Sequence, residues 1–153
     1  MTFFYLKSNL EKLFMKSDTN KWLNYANENL ASAKILLESN LYNPCLQNVQ
    51  QCVEKSLKAL LIEKSLKLIK THSISELKLI FEHNELPIEI TDEECDFLDS
   101  IYLPSKYPIS SALPYYEPDY DICIKGVSLA EKIYKSVENL LTWYYSENTK
   151  SWK

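Results

Sequence analysis

The sequence contains no arginine, because all 17 of its basic residues are lysines. Lysine carries a point charge on a flexible stem and lacks the planar fork with which arginine binds phosphate in a bidentate manner. The formal net charge of −4 also disfavours nonspecific binding of nucleic acid, since such binding depends on a positive surface. The composition therefore argues against nonspecific nucleic-acid binding and against any mechanism that needs an arginine.

Glycine and long apolar runs are also scarce. Gly126 is the single glycine among 153 residues, and it falls within a predicted helix, where a close approach of another helix would explain it. The longest stretch without a charged residue, 39–53, is too short and too rich in Asn and Gln to span a membrane. Charged residues Lys7, Glu11 and Lys12 interrupt the apolar N-terminus, so it does not resemble a signal peptide. We expect a cytoplasmic protein without a membrane span.

The four cysteines form no CxxC pair, which predicts buried, reduced thiols rather than a metal site or a disulfide framework. His72 and His83 are the two histidines. On one helix they would be separated by roughly 16 Å of rise, too far apart to share an ion. The sequence therefore indicates no metal and no cofactor.

Leucine and isoleucine recur at helical spacing, which predicts an all-α fold, an up-and-down bundle of four to five helices. We expect one domain with a core over about 20–145, an N-terminal helical extension over 1–16 and a frayed tail over 146–153. The helix that begins at Pro44 should be central, with Val53, Leu57 and Leu60 buried. A second helix should be capped by Asp18, Thr19 or Asn20 and run to Ser39, and two later helices should each open with a capping box, Ser73–Asn84 and Thr91–Ile101. The other predicted helices are Phe3–Met15, Pro44–Ile69 and Asp119–Tyr145.

Polar residues Gln51, Glu54, Lys55 and Lys58 form a strip on the central helix, away from its predicted inward face. Glu54 and Lys58 stand at i,i+4 in the favourable order, so an ordinary ion pair on a solvated face is one interpretation. The other is a ligand site, in which Lys58 and Lys106 bind phosphate and Gln51 or Glu54 binds a base edge or a ribose hydroxyl. Tyrosines of the proline-rich loop over 104–118 would stack on the base. The residues leave both interpretations open.

Several segments together resemble the HEPN family of small helical domains, over roughly Trp22 to Leu141. They are Gln50-Gln51, Glu54-Lys55, the run Leu57-Lys58-Ala59-Leu60-Leu61, Thr71-His72, and Leu98-Asp99 followed by Ser105-Lys106-Tyr107-Pro108. In many relatives the last segment reads Arg-Tyr-Pro, and Lys106 stands where that arginine would be. The RNA-cleaving members rely on an arginine four to six residues before a histidine, which this chain lacks.

The resemblance implies a protein that binds a nucleotide, or a nucleotidyltransferase-type partner as in toxin–antitoxin pairs, without cleaving RNA. It also implies a homodimer, in which the Lys58 strips and the proline–tyrosine loops of two copies would surround one cleft. Two alternatives remain: a toxin-like, metal-independent ribonuclease that uses His72 with lysines, and a purely structural dimerising module, in which His72 only packs at its turn. The candidate ligand-binding residues are Gln51, Glu54, Lys55, Lys58, His72, Lys106 and Tyr107.

Overall fold

The computed structural model describes residues 15–86, 88–106 and 117–150, with the side chains of 103–106, 144–146 and 148–150 excepted. Within these residues it has five helices and no strand, which confirms the predicted all-α bundle. The predicted helix over 3–15, apart from Met15, and the central part of the proline–tyrosine loop lie outside the described residues. The helices are α1 (Ser17–Glu38), α2 (Tyr42–Glu63), α3 (Ile74–His83), α4 (Asp92–Lys106) and α5 (Tyr120–Lys150).

Helix α2 is the central helix, as predicted, because each of the other four helices contacts it, α1 and α5 most extensively. Val53 and Leu57 are fully buried and Leu60 is 1% exposed. The four cysteines are all free and buried, which confirms their predicted role as small apolar core residues. None of the described helices has the length and apolar character needed to cross a membrane.

Gly126 allows α5 to lie close to α2. A Cβ at this position would stand 3.3 Å from both Leu46 Cδ2 and Val49 Cγ1, which is tighter than an ordinary van der Waals contact. The predicted close approach is therefore confirmed, and it occurs within the bundle. Because this glycine is buried inside one chain, it gives no support to the expected contact between two copies.

Three helices end without glycine. Asn40, Ser65 and Glu85 adopt left-handed backbone conformations with φ of 55°, 56° and 55°. In each case the next N–H reaches back to the carbonyl five residues earlier, which is the hydrogen bond of a Schellman motif. This ending stops α2 at Glu63, so the predicted end at Ile69 is wrong. The bonds run from Leu41 to Leu36 (2.9 Å), from Leu66 to Leu61 (2.9 Å) and from Leu86 to Phe81 (3.0 Å).

The start of α1 is capped by a carboxylate from another helix. The predicted caps Asp18, Thr19 and Asn20 are wrong, because α1 begins at Ser17 and its N-cap residue makes no side-chain cap bond. Instead Glu63, at the end of α2, accepts hydrogen bonds from the backbone N–H of Lys16 (3.2 Å) and from the Thr19 hydroxyl. A tertiary contact of this kind leaves no local signature in the sequence.

The other helix starts follow the local sequence more closely. Thr91 and Glu94 form both bonds of the predicted capping box, at 3.0 and 3.1 Å. Ser73 makes only one, accepting from Glu76 N at 3.2 Å, because its own N–H donates to Thr71 Oγ1.

Two helices extend further along the chain than predicted. Helix α4 continues past Pro104 to Lys106 instead of ending at Ile101. Helix α5 begins at Tyr120, close to the predicted start, where Asp119 accepts a hydrogen bond from the N–H of Ile122, and it runs to Lys150, beyond the predicted end at Tyr145.

Candidate functional site

Glu54 and Lys58 form a buried ion pair on α2, with side chains 6% and 8% exposed and with Nζ 2.7 Å from Oε1. The expectation that they lie on an outer face is wrong. The segment over 64–73 folds back across this face of α2 and covers it: Lys58 Nζ donates to the Thr71 carbonyl at 2.8 Å. The amine of Lys58 is thus already engaged inside the protein and also lies 5.9 Å from the Trp22 ring.

Gln50 completes the network and was not among the predicted site residues. It is 1% exposed, and its amide nitrogen donates to Glu54 Oε2 (3.2 Å) and to the His72 carbonyl (3.0 Å). Gln51 in turn donates to Gln50 Oε1 at 2.9 Å. The signal for Gln50 in the sequence is its position among Leu46, Val49 and Val53 on the inward stripe, where a buried amide needs polar partners.

The carboxyl group of Glu54 is held in its ionised form. Burial raises its pKa, but hydrogen bonds from Lys58, His72 and Gln50 together outweigh burial, so the net shift is downward. A buried charge of this kind is tolerated only when its oxygens are satisfied, and here both oxygens accept hydrogen bonds.

This carboxylate fixes the ring of His72, whose Nδ1 lies 3.1 Å from Glu54 Oε2 and 3.3 Å from Oε1. One face of the imidazole stacks on Tyr102 of α4, with ring centroids 4.9 Å apart and planes 17° from parallel. The side chain is nevertheless 54% exposed, and among the described residues its contacts are at Nδ1 and on the ring face that stacks on Tyr102. An imidazole that donates from Nδ1 presents Nε2 as an acceptor when neutral and as a donor when protonated.

The remaining predicted residues are placed differently. Lys55 is turned away from this network and donates to Asn29 Oδ1 of α1 at 2.7 Å. Burial lowers the pKa of the Lys55 amine. Lys106 is the last residue of α4, four residues beyond Tyr102, but its side chain and the whole of Tyr107 lie outside the described residues. The structure thus joins Gln51, Glu54, Lys58 and His72 and does not join Lys55 to them.

A surface cleft of about 460 Å³ lies elsewhere, between α5 and the loop before α4. Its two lysines already lie beside carboxylates, since Lys132 pairs with Glu94 at 2.8 Å and Lys135 lies 3.4 Å from Glu131, which also pairs with Lys34. Over the described ranges, no three His, Cys, Asp or Glu side chains come close enough to hold a metal ion. The His72–Tyr102 face therefore remains the better candidate. The cleft is lined by Glu89, Lys132, Lys135, Ser136, Asn139 and Leu140.

Comparison with known proteins agrees with the resemblance inferred from the sequence. A family model described as the HEPN domain matches residues 19–147. The crystal structure of TT1696 from Thermus thermophilus is similar, with a TM-score of 0.66 and 27% identity over 81% of this chain and 98% of that one.

A second similar structure is ST0689, an archaeal HEPN homologue, with a TM-score of 0.62 and 26% identity over 80% of this chain and 97% of that one. Comparison with curated proteins finds no match. Since the family model spans well over half of the sequence, the chain belongs to the HEPN domain family.

Proposed function

We propose that this protein binds a nucleotide at the open face of His72, either free or presented by a nucleotidyltransferase-type partner, and that it does not cleave RNA. The observation that carries the proposal is the half-exposed imidazole of His72, fixed at Nδ1 by a buried carboxylate and stacked on Tyr102. Groups held in place before a ligand arrives lose little entropy on binding, which favours a binding role over a purely structural one.

The shape and chemistry of this face suit a nucleotide. A flat aromatic surface with one open side can stack on a base, as aromatic and histidine side chains do in many nucleic-acid-binding proteins. The Nε2 edge offers one hydrogen bond whose direction depends on protonation, so it suits a base edge or a phosphate oxygen. Lys106 follows Tyr102 by one helical turn and is the candidate for additional phosphate binding.

A second candidate function, metal-independent RNA cleavage, is favoured by one observation. A carboxylate at Nδ1 of an exposed histidine is the arrangement that orients a general base. Cleavage also needs a rigidly held cation to stabilise the charged phosphate. The chain has no arginine, the Lys58 amine is engaged by Glu54 and the Thr71 carbonyl, and a lysine such as Lys106 supplies only a point charge on a flexible stem. These facts support binding without cleavage.

Assembly is part of the proposal in a modified form. A homodimer, or a complex with a nucleotidyltransferase-type partner, would bring a second surface to the His72 face. A cleft lined by Lys58 from two copies no longer fits, because Lys58 is buried in the network beneath that face. The residue that would contact the ligand is therefore His72, with Tyr102 beneath it.

Isothermal titration calorimetry with nucleoside mono-, di- and triphosphates tests the proposal. We expect binding by the wild-type protein, loss of binding in His72→Ala and weaker binding in Tyr102→Ala. The matched control is His83→Ala, which removes the other histidine, an exposed residue at the end of α3, and should bind as the wild type does. If none of these nucleotides binds, the proposal is contradicted and the purely structural module is favoured. RNA cleavage in the presence of EDTA that His72→Ala abolishes would establish the ribonuclease instead.

A further inference from the structure

We infer that Asp99 of α4 is a positioning residue for His72, so that a carboxylate remote from the ligand sets the geometry of the binding face. This inference rests on the proposed function for its biological meaning, although its structural part can be tested without any ligand. Asp99 does not touch His72 itself. It acts on the three residues that follow His72 in the chain.

The Asp99 carboxylate binds the first turn of α3 through four hydrogen bonds. The backbone N–H groups of Ile74 and Ser75 donate to it at 2.6 and 3.2 Å, and the hydroxyls of Ser73 and Ser75 donate at 2.9 and 2.7 Å. A negative charge at this place is favoured by the unsatisfied N–H groups of the helix start. Ser73 already serves as the local N-cap, so the bonds from Asp99 are additional to the cap that α3 needs.

The residues on the other side of His72 are held by α2. Lys58 binds the carbonyl of Thr71, and Gln50 binds the carbonyl of His72 itself. The backbone around the histidine is therefore fixed from two directions, by α2 before the ring and by α4 after it. Loss of either attachment would allow the imidazole to leave the Glu54 carboxylate.

Helix α4 also supplies the stacking partner. Tyr102 follows Asp99 by three residues, so the two residues lie on one face of the same helix. The carboxylate that fixes the backbone after His72 and the ring that supports its imidazole thus move together. A shift of α4 would change both contacts, so the His72 face depends on α4 as well as on α2.

NMR of the two histidine rings tests this positioning role. We compare Asp99→Asn and Asp99→Ala with Asp119→Ala, which removes the cap bond to the N–H of Ile122 at the start of α5 and alters no residue of α4. We expect both Asp99 variants to shift the His72 Cε1–H signal and to weaken the nuclear Overhauser contacts between the His72 and Tyr102 rings. The effect should be smaller for Asn, which retains one acceptor oxygen, and the His83 signal should not move.

The control separates positioning from simple stability. Asp119→Ala should lower the Tm without moving the His72 signal, and nucleotide affinity should fall in the Asp99 variants but not in Asp119→Ala. If the Asp99 variants lower only the Tm and leave the His72 signal and its contacts unchanged, Asp99 is merely a cap and the inference is overturned. If Asp99→Ala does not fold, Asp99→Asn and Ser75→Ala, which removes one of the four donors, provide the same comparison. Because the ring signals are read without ligand, a failure of nucleotide binding would overturn the proposed function and leave this test intact.

Discussion

Replacing Lys58 by methionine removes one partner of the buried ion pair and keeps most of the side-chain volume. Two groups then lose their bond to the Lys58 amine: the Glu54 carboxylate, whose side chain is 6% exposed, and the Thr71 carbonyl. Breaking a buried pair in this way costs about 3–5 kcal/mol, because a desolvated charge is left without compensation. Glu54 keeps its bonds from Gln50 and His72, so we expect the lower end, about 3 kcal/mol.

The assay is urea denaturation followed by circular dichroism at neutral pH, where the free energy of unfolding is compared with that of the wild type. Lys34→Met is the matched control, because Lys34 pairs with Glu131 at 2.8 Å, but with side chains 45% and 36% exposed. An exposed pair contributes at most about 1 kcal/mol. If Lys58→Met costs no more than Lys34→Met, the buried network does not hold the segment over 64–73, and the reasoning about the site is refuted.

Four further results are expected. The stabilisation from Glu54 should be present above its ordinary pKa of 4.5 and disappear as the pH falls through its lower pKa in the folded protein. In acid-unfolding experiments, the free energy of unfolding of Glu54→Gln should therefore fall less steeply with pH than that of the wild type. Glu85→Gly should stabilise the protein by about 0.5–1 kcal/mol and raise the Tm, because glycine adopts positive φ without strain. The control Glu82→Gly, inside α3, should lower the Tm. Gly126→Leu should cost about 1–3 kcal/mol in urea unfolding through overpacking against α2, and an unchanged midpoint would contradict the close approach. Light scattering should give twice the chain mass of 17.9 kDa, and a mass of one chain would remove the dimer from the proposal.

Those parts of the fold that depend on residues close together in the sequence could be predicted. The spacing of apolar residues indicated the helices and the central position of α2, and the Thr91–Glu94 capping box marked the start of α4. The end of α2 could not be predicted in the same way. A Schellman ending is usually signalled by glycine, and here Ser65 adopts the left-handed conformation instead.

Only part of the candidate site could be predicted from the sequence, because the rest depends on tertiary contacts. Glu54, Lys58 and His72 were named from the sequence, but whether the pair is exposed depends on where the segment over 64–73 folds, which is a tertiary event. Tyr102 was missed because its stacking on His72 brings together two residues of separate elements. Neither periodicity nor capping rules describe such a contact.

The most direct test of the central claim uses the fact that the chain contains only two histidines. A nucleoside triphosphate is titrated into the labelled protein while the two histidine Cε1–H signals are followed by NMR. Binding of a base at the open face of the imidazole should shift the His72 signal in a saturable manner and leave the His83 signal in place. A His72 signal that does not move at saturating nucleotide, or a shift confined to His83, would contradict the account.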